Sequence, residues 1–440
     1  MKNTSLTILL LLIQFQVSAQ TWQALPNSPL MQPIANGYQN HDDIEFCNDS
    51  VGWICDISGH IFKTTDGGDS WVEQMNQFGT SFRSLAFINC DTGYVGNLGP
   101  GDWVKKTSDP TLMYKTYDGG ANWTPVTTIP TVHNPQGVCG MQAIDAQNIV
   151  AVGRYDDPAI FYKSTDGGAT WITKDIGADN GVKGLVDLHF FNPDTGLITG
   201  RMNGSGIWYT TDGGQNFTQV ASAYKDHVWK IFFLDRMHGY ANISNYDKGD
   251  QIYLYTSDGG VTWTERVYRS EGNQYEGLGI GFFSEQVGWC AGDDVTYETT
   301  DGGVTFNPIS IDPDYKDVIN RFYRASDSVM YAIGSRVYKY TDLTIGARTV
   351  PYVDNSLCKI SCNPNPISGP AQITYTVPED GDVFMAVTSI GGRAVEVLVD
   401  KKQKAGTYTI PYNPDYKLKF VSCTIGVGRY RCSVHILRED

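Results

Sequence analysis

The sequence predicts an all-β protein, a seven-bladed β-propeller followed by a small immunoglobulin-like β-sandwich, and three observations carry that prediction. An eight-residue stretch, TTDGGDSW at 64–71, returns five more times, as TYDGGANW, STDGGATW, TTDGGQNF, TSDGGVTW and TTDGGVTF. Its aspartates, Asp66, Asp118, Asp166, Asp212, Asp258 and Asp301, are 52, 48, 46, 46 and 43 residues apart, and a weaker copy at Asp342 follows after 41. A period in the forties with strand-rich content matches a four-stranded propeller blade. A second motif, an aromatic residue, a turn, then glycine and another large residue, runs in phase with the first, as in FCNDSVGW (46–53) and FINCDTGY (87–94). Each repeat therefore holds two hairpins.

Taken in order, residues 1–19 read as an export signal. Lys2 is the basic region, Leu6 to Phe15 the apolar stretch, and Val17-Ser18-Ala19 the small-residue cleavage site. The apolar stretch is too short to span a bilayer. Residues 20–343 form the propeller. In each repeated stretch the Asp accepts hydrogen bonds from the backbone ahead of it, the two glycines take turn conformations closed to other residues, and the aromatic re-enters the sheet. The six aspartates are thus assigned to structure. A calcium site at these turns is the alternative, and they lack the clustered oxygens calcium needs. The seventh repeat, 321–342, supplies three strands and lacks the closing half. QTWQALP (20–26) matches that half, so residues 21–25 are expected to close the last blade. Residues 344–356 break the period as a linker. Alternating segments such as ITYTV, VFMAV and TYTIPY then make 357–440 the sandwich.

The net charge of −15 argues against a nucleic-acid partner. The acidity belongs to the propeller, because 357–440 carries ten Lys/Arg against eight Asp/Glu. Nine cysteines in an exported chain permit disulfides. Cys358, Cys362, Cys423 and Cys432 crowd the last segment, where two bridges joining the first pair to the last pair are one arrangement.

The repeated S/T-x-D-x-G-x-x-W unit resembles the Asp box, or bacterial neuraminidase repeat. Paired with the aromatic-turn-glycine motif, it resembles the photosystem II stability/assembly-factor-like propellers over roughly residues 20–345. That resemblance implies a seven-bladed propeller. Photosystem assembly, the role of plant and cyanobacterial members, is not carried over to this acidic, exported chain. Asn363-Pro364-Asn365-Pro366, Gly392-Arg393, Ala405-Gly406-Thr407-Tyr408 and Gly428-Arg429-Tyr430 make 357–440 similar to the type IX secretion C-terminal sorting domain. The resemblance implies recognition by an outer-membrane secretion machinery, followed by removal or by exchange for a lipopolysaccharide anchor. Arg429, where that family has Val or Ile, and the extra cysteines depart from its pattern.

Function is expected on the upper face, where the loops between second and third strands differ from blade to blade. Trp103, Arg154, Tyr155, Asp156, Asp157, Arg201, Trp229, Tyr246, Tyr275 and Glu276 form a rim of aromatic and charged side chains. Aromatic faces stack on sugar rings and carboxylates bond hydroxyls, so the rim suits a glycan; a surface-protein ligand fits it as well. The expected function is a secreted or cell-surface binding module with no catalytic residue, cofactor, metal or membrane span. A sialidase-like glycoside hydrolase is the alternative, with Arg83, Arg154, Arg201 and Arg321 as carboxylate-binding arginines. It lacks the Arg-Ile-Pro signature, and adjacent Tyr275 and Glu276 would face opposite ways in a strand. A last group, His189, Arg321 and Glu45, aligns one residue before the inner-strand aromatics, where it would line the channel as a polar site or as packing.

Overall fold

The computed structural model describes residues 22–31, 40–101, 107–154, 158–177, 181–201, 206–222, 227–244, 249–272, 277–292, 295–312, 318–326, 328–341, 358–388, 394–414, 420–427 and 430–438. Residues 1–19, expected to be an export signal, the expected linker at 344–356 and Asp342 lie outside them. The elements of the described residues are β-strands, and among those residues there is no helix long and apolar enough to cross a membrane.

Up to Thr341 the strands form antiparallel four-stranded sheets, seven among the described residues, six of them simple meanders. Their first strands, His41–Phe46, Phe82–Phe87, Gly140–Ala143, Gly184–Phe190, His227–Phe233, Gly277–Phe282 and Arg321–Arg324, contact one another in sequence order, and the last meets the first. This closed ring of inner strands is a β-propeller around a central channel. The seventh sheet takes its outer strand from the other end of the chain. Trp22–Ala24 pairs with Tyr338, Lys339 and Tyr340, and the Trp22 ring packs among Trp289, Phe322 and Tyr340.

The in-phase motif has a steric basis. A methyl group at Gly52, Gly93, Gly196, Gly239 or Gly288 would sit within 2.7 Å of the Phe ring paired across the hairpin. The large residue after that glycine points into the next sheet: Trp53 stacks on Phe87 with centroids 3.6 Å apart, and Tyr240 stacks on Phe282 at the same distance.

The Asp boxes are wired alike in all six copies. In the first, the Thr64 hydroxyl donates to Asp66 at 2.8 Å and accepts from the Gly68 amide at 2.9 Å, while Asp66 accepts from the Ser70 amide at 2.9 Å. Gly67 and Gly68 both have positive φ. The Ser/Thr at the box's first position thus closes the turn together with the aspartate. The box also fastens one sheet to the next. Lys63 and Trp53 of the first sheet donate to the Gly119 carbonyl of the second box at 2.8 and 3.0 Å. Lys115 and Tyr94 do the same to Gly167, and Lys339 and Tyr331 of the seventh sheet reach Gly67 of the first. A disulfide, Cys47–Cys90, joins the inner hairpins of the first two sheets.

The described residues between 358 and 438 form a three-stranded and a four-stranded antiparallel sheet sharing one apolar core around Ile373, Met385, Val387 and Ile425. Cys358 pairs with Cys432, whereas Cys362 and Cys423 are buried thiols.

Candidate functional site: the central channel

The channel is built in layers by the inner strands. In five of them the pairing register slips near the start, between His41/Asp43, Phe82/Ser84, Leu185/Asp187, Val228/Lys230 and Gly277/Ile280. Such a bulge carries an extra residue and re-aims its side chain. Asp42, Arg83, Val186 and Trp229 are the extra residues in the first, second, fourth and fifth sheets, and all are buried. Arg83 lies 3.2 Å from Asp42, which also accepts from Asn320 at 2.9 Å. Trp229 and Val186 cluster with Leu98, Cys139 and Leu278. Side chains from non-neighbouring sheets can meet this way only on the axis. This end of the channel is plugged, half by an ion pair and half by apolar groups.

Below the plug lies a ring of charges: Asp43, Asp187, Lys230 and Arg321. The Arg321 guanidinium sits 3.0 Å from Asp43 and 3.3 Å from Asp187, spanning the seventh, first and fourth sheets. Each carboxylate also ties its own sheet to the next, Asp43 through the Leu85 amide at 2.8 Å and Asp187 through the Ile231 amide at 3.1 Å. One layer further on, Glu45 accepts from the Phe87 amide at 2.8 Å, and Gln142 accepts from the Phe190 amide at 2.8 Å. Burial pushes Asp42 and Asp43 up, against the pull of Arg83 and Arg321. Burial alone would lower Arg321, but Asp187 and Asp43 outweigh it and hold the guanidinium above its ordinary value. Lys230, 3% exposed, is pushed down to about 8 by burial and by Arg321. Burial pushes His189 down to about 4, so its ring is neutral at pH 7.

This ring is the floor of a cavity of about 320 Å³. From it the walls run through Glu45, Gln142 and His189 to Phe233, Leu234 and Arg324 at the ends of the inner strands. Exposure rises in that direction, from buried Asp43, Asp187 and Lys230 to half-buried Glu45, Gln142, His189, Phe233 and Leu234. The cavity therefore opens at the end that carries the inner hairpin turns. The Asp boxes sit there too, for the Gly67 amide donates to Ser50 of the first inner hairpin at 2.8 Å.

Of the predicted rim, Trp103, Tyr155, Asp156, Asp157, Tyr246, Tyr275 and Glu276 lie outside the described residues, and only the backbone of Arg201 is described. Arg154 is buried, its guanidinium donating to the carbonyls of Pro100 at 3.1 Å and Gly101 at 2.7 Å. Trp229 is in the plug. Both pack as structural side chains. Arg83 and Arg321, offered as carboxylate-binding arginines, are paired with aspartates. Glu45 and His189 share one layer of the channel, but Arg321 stands a layer deeper with Asp43 and Asp187. The seventh hairpin turn closes at Ala325–Val329, which puts Arg324, not Phe322, where other sheets carry the phenylalanine. Sequence reasoning missed Asp43, Asp187 and Lys230. Their signal was available: each falls four residues before the first turn residue of its inner hairpin, as Arg321 does.

The box aspartates have their oxygens engaged by hydroxyls, side-chain amides and backbone amides, which hold Asp66, Asp166 and Asp301 down to about 2. Asp235, His238 and Glu285 converge on the surface, and there His238 pairs with Asp235 at 2.9 Å.

The family model for the photosynthesis system II assembly factor YCF48 matches residues 19–171. No curated protein matches the chain in sequence. Among solved structures, YCF48 bound to a D1 peptide superposes with a TM-score of 0.53 at 15% identity, over 73% of this chain and 97% of that one. YCF48 from Cyanidioschyzon merolae gives 0.54 at 18% identity, over 73% and 98%. The Niastella koreensis GH74 enzyme gives 0.53 at 13% identity, over 95% of this chain and 74% of that one. At these identities the likeness is one of fold, and it is a β-propeller fold.

Proposed function

We propose that this chain is an exported, non-catalytic binding module, a seven-bladed propeller that receives a segment of a protein ligand in its channel. The observation that carries the reading is the cavity itself. It is plugged at one end and open at the other, with a charged floor and aromatic and aliphatic walls, the usual make-up of a ligand pocket. The described acids that line the cavity are engaged: Asp43 and Asp187 with Arg321 and with backbone amides, Glu45 with the Phe87 amide. A protein ligand is favoured over a glycan by the fold's likeness to YCF48, solved bound to a D1 peptide.

Export is supported by the N-terminal sequence and by the two disulfides, bonds that persist in oxidising compartments. We read 357–440 as an immunoglobulin-like sandwich that directs type IX secretion, leaving the protein secreted or on the outer-membrane surface; its sequence motifs support this. The upper-face rim remains a second place for a glycan or protein contact. The test is to probe the full chain against a peptide pool and a glycan array, following each bound glycan by mass spectrometry. Peptide binding that is lost when Phe233 and Leu234 are changed to Ser supports the channel reading. Glycan binding alone moves the site to the rim, and loss of a terminal sugar overturns the non-catalytic reading in favour of a glycoside hydrolase.

A further inference from the structure

Lys230 stands apart from the other cations of the channel. Arg83 is paired with Asp42, and Arg321 bridges Asp43 and Asp187. Arg324 donates to the Phe283 carbonyl at 3.1 Å. The ammonium of Lys230 is buried, lines the cavity, and has no hydrogen-bond partner among the described residues. An ammonium carries three donors, and leaving them unsatisfied away from water is costly. Such a group is kept in a fold where something fills the space before it.

We propose that Lys230 is the receptor for a carboxylate of the bound polypeptide, its C-terminal α-carboxylate, held on the channel floor with the last side chain against Phe233 and Leu234. The inference deepens the binding reading above and rests on it. Charge and size favour a carboxylate. The ionised groups lining the cavity are Asp43, Glu45 and Asp187 against Lys230, Arg321 and Arg324, three of each sign. One more negative charge is tolerable only beside the cation whose donors are unspent. A dianion such as phosphate would face Asp43 and Asp187 with a single partner. The cavity, about 320 Å³, is at the small end of ligand pockets, which suits a chain end better than a folded surface. The fields on Lys230 come from Asp42, Asp43 and Asp187 on one side and Arg83 and Arg321 on the other. Its lowered value, about 8, means that a bound anion would draw a proton onto it in mildly alkaline buffer.

The experiment uses the full chain and two probes: a tetrapeptide pool with free C-terminal carboxylates and the same pool amidated. The free-acid pool should bind at least tenfold tighter, and Lys230→Met should erase that ratio while Lys230→Arg keeps part of it. In wild-type protein carrying 13Cε-labelled lysine, the Lys230 resonance, assigned by its loss in Lys230→Arg, should titrate at higher pH with the free-acid pool than with the amidated pool. This second reading does not depend on whether Lys230→Met folds. Equal binding of the two pools, or a Lys230 titration indifferent to the free acid, overturns the carboxylate assignment and leaves the binding reading intact. Failure of both pools to bind overturns the two together.

Discussion

The Asp-box ring and the channel share one end of the propeller and are built on opposite rules. The ring repeats one wiring six times, with aspartates exposed or half-buried and each carboxylate hydrogen-bonded within its own turn. The channel repeats nothing. At one register position it places Asp43, Asp187, Lys230 and Arg321 in four different sheets, and Arg321 pairs with Asp43 and Asp187 across the axis rather than within a turn. Repetition here marks construction, and its abandonment marks where the fold has been given something else to do.

The contrast can be broken at its strongest point by Arg321→Met. That change leaves Asp43 and Asp187 buried without their shared cation and should cost about 3–5 kcal/mol in denaturant unfolding. A loss below about 1 kcal/mol would mean that the channel charges are solvated. Next in size is removal of the Cys47–Cys90 bridge by a double serine substitution. It should cost about 2–4 kcal/mol, seen as a lower Tm. Thr64→Val should cost about 1–3 kcal/mol, because the buried Gly68 amide loses its acceptor; the same change in another box should match it if the ring is uniform.

The smallest effect is on the pH profile, and there the box aspartates should differ in sign from the buried channel aspartates. The box aspartates have folded values below their unfolded ones, so the stability they give is present above pH 4 and fades as pH falls towards about 2. Lys230 is likewise lowered, to about 8 from an ordinary value of 10.5. The unfolded chain then binds the extra proton between those values, and stability should rise with pH across that window. Asp42 and Asp43, raised by burial, pull the other way in acid: their contribution is full below the unfolded carboxylate range and falls as pH rises through their folded values. Asp66→Asn should flatten the acid limb, and Lys230→Met the alkaline one.

The construction was the legible part. Period, turn chemistry and the match between QTWQALP and the missing half of the last repeat are local patterns, and a local pattern survives translation into sequence. Even there one element escaped notice: the lysine just before the box, as in Lys63, Lys115 and Lys163, whose partner is a carbonyl in the next sheet. The channel was less legible because its residues are brought together by register. A one-residue bulge in five of the seven inner strands decides which side chain faces the axis, and nothing in the alternation of those strands announces it. Arg321 was misplaced by a layer because Phe322 resembled the aromatics of other sheets, while the hairpin turn, not the aromatic, sets the alignment. Arg154 and Trp229 looked like rim residues because they are large and polar or aromatic near loops, yet packing claims both.

The strand Trp22–Ala24 has a consequence in time. Its partner, Val337–Thr341, is made roughly 300 residues later, a separation that makes the pairing slow to find. In a chain synthesised N-terminus first, the opening strand must wait, unpaired, until almost the whole propeller has emerged. The last event of folding is then the meeting of the two ends of the domain, and a chain cut short anywhere before Val337 would leave its first strand without a place to go.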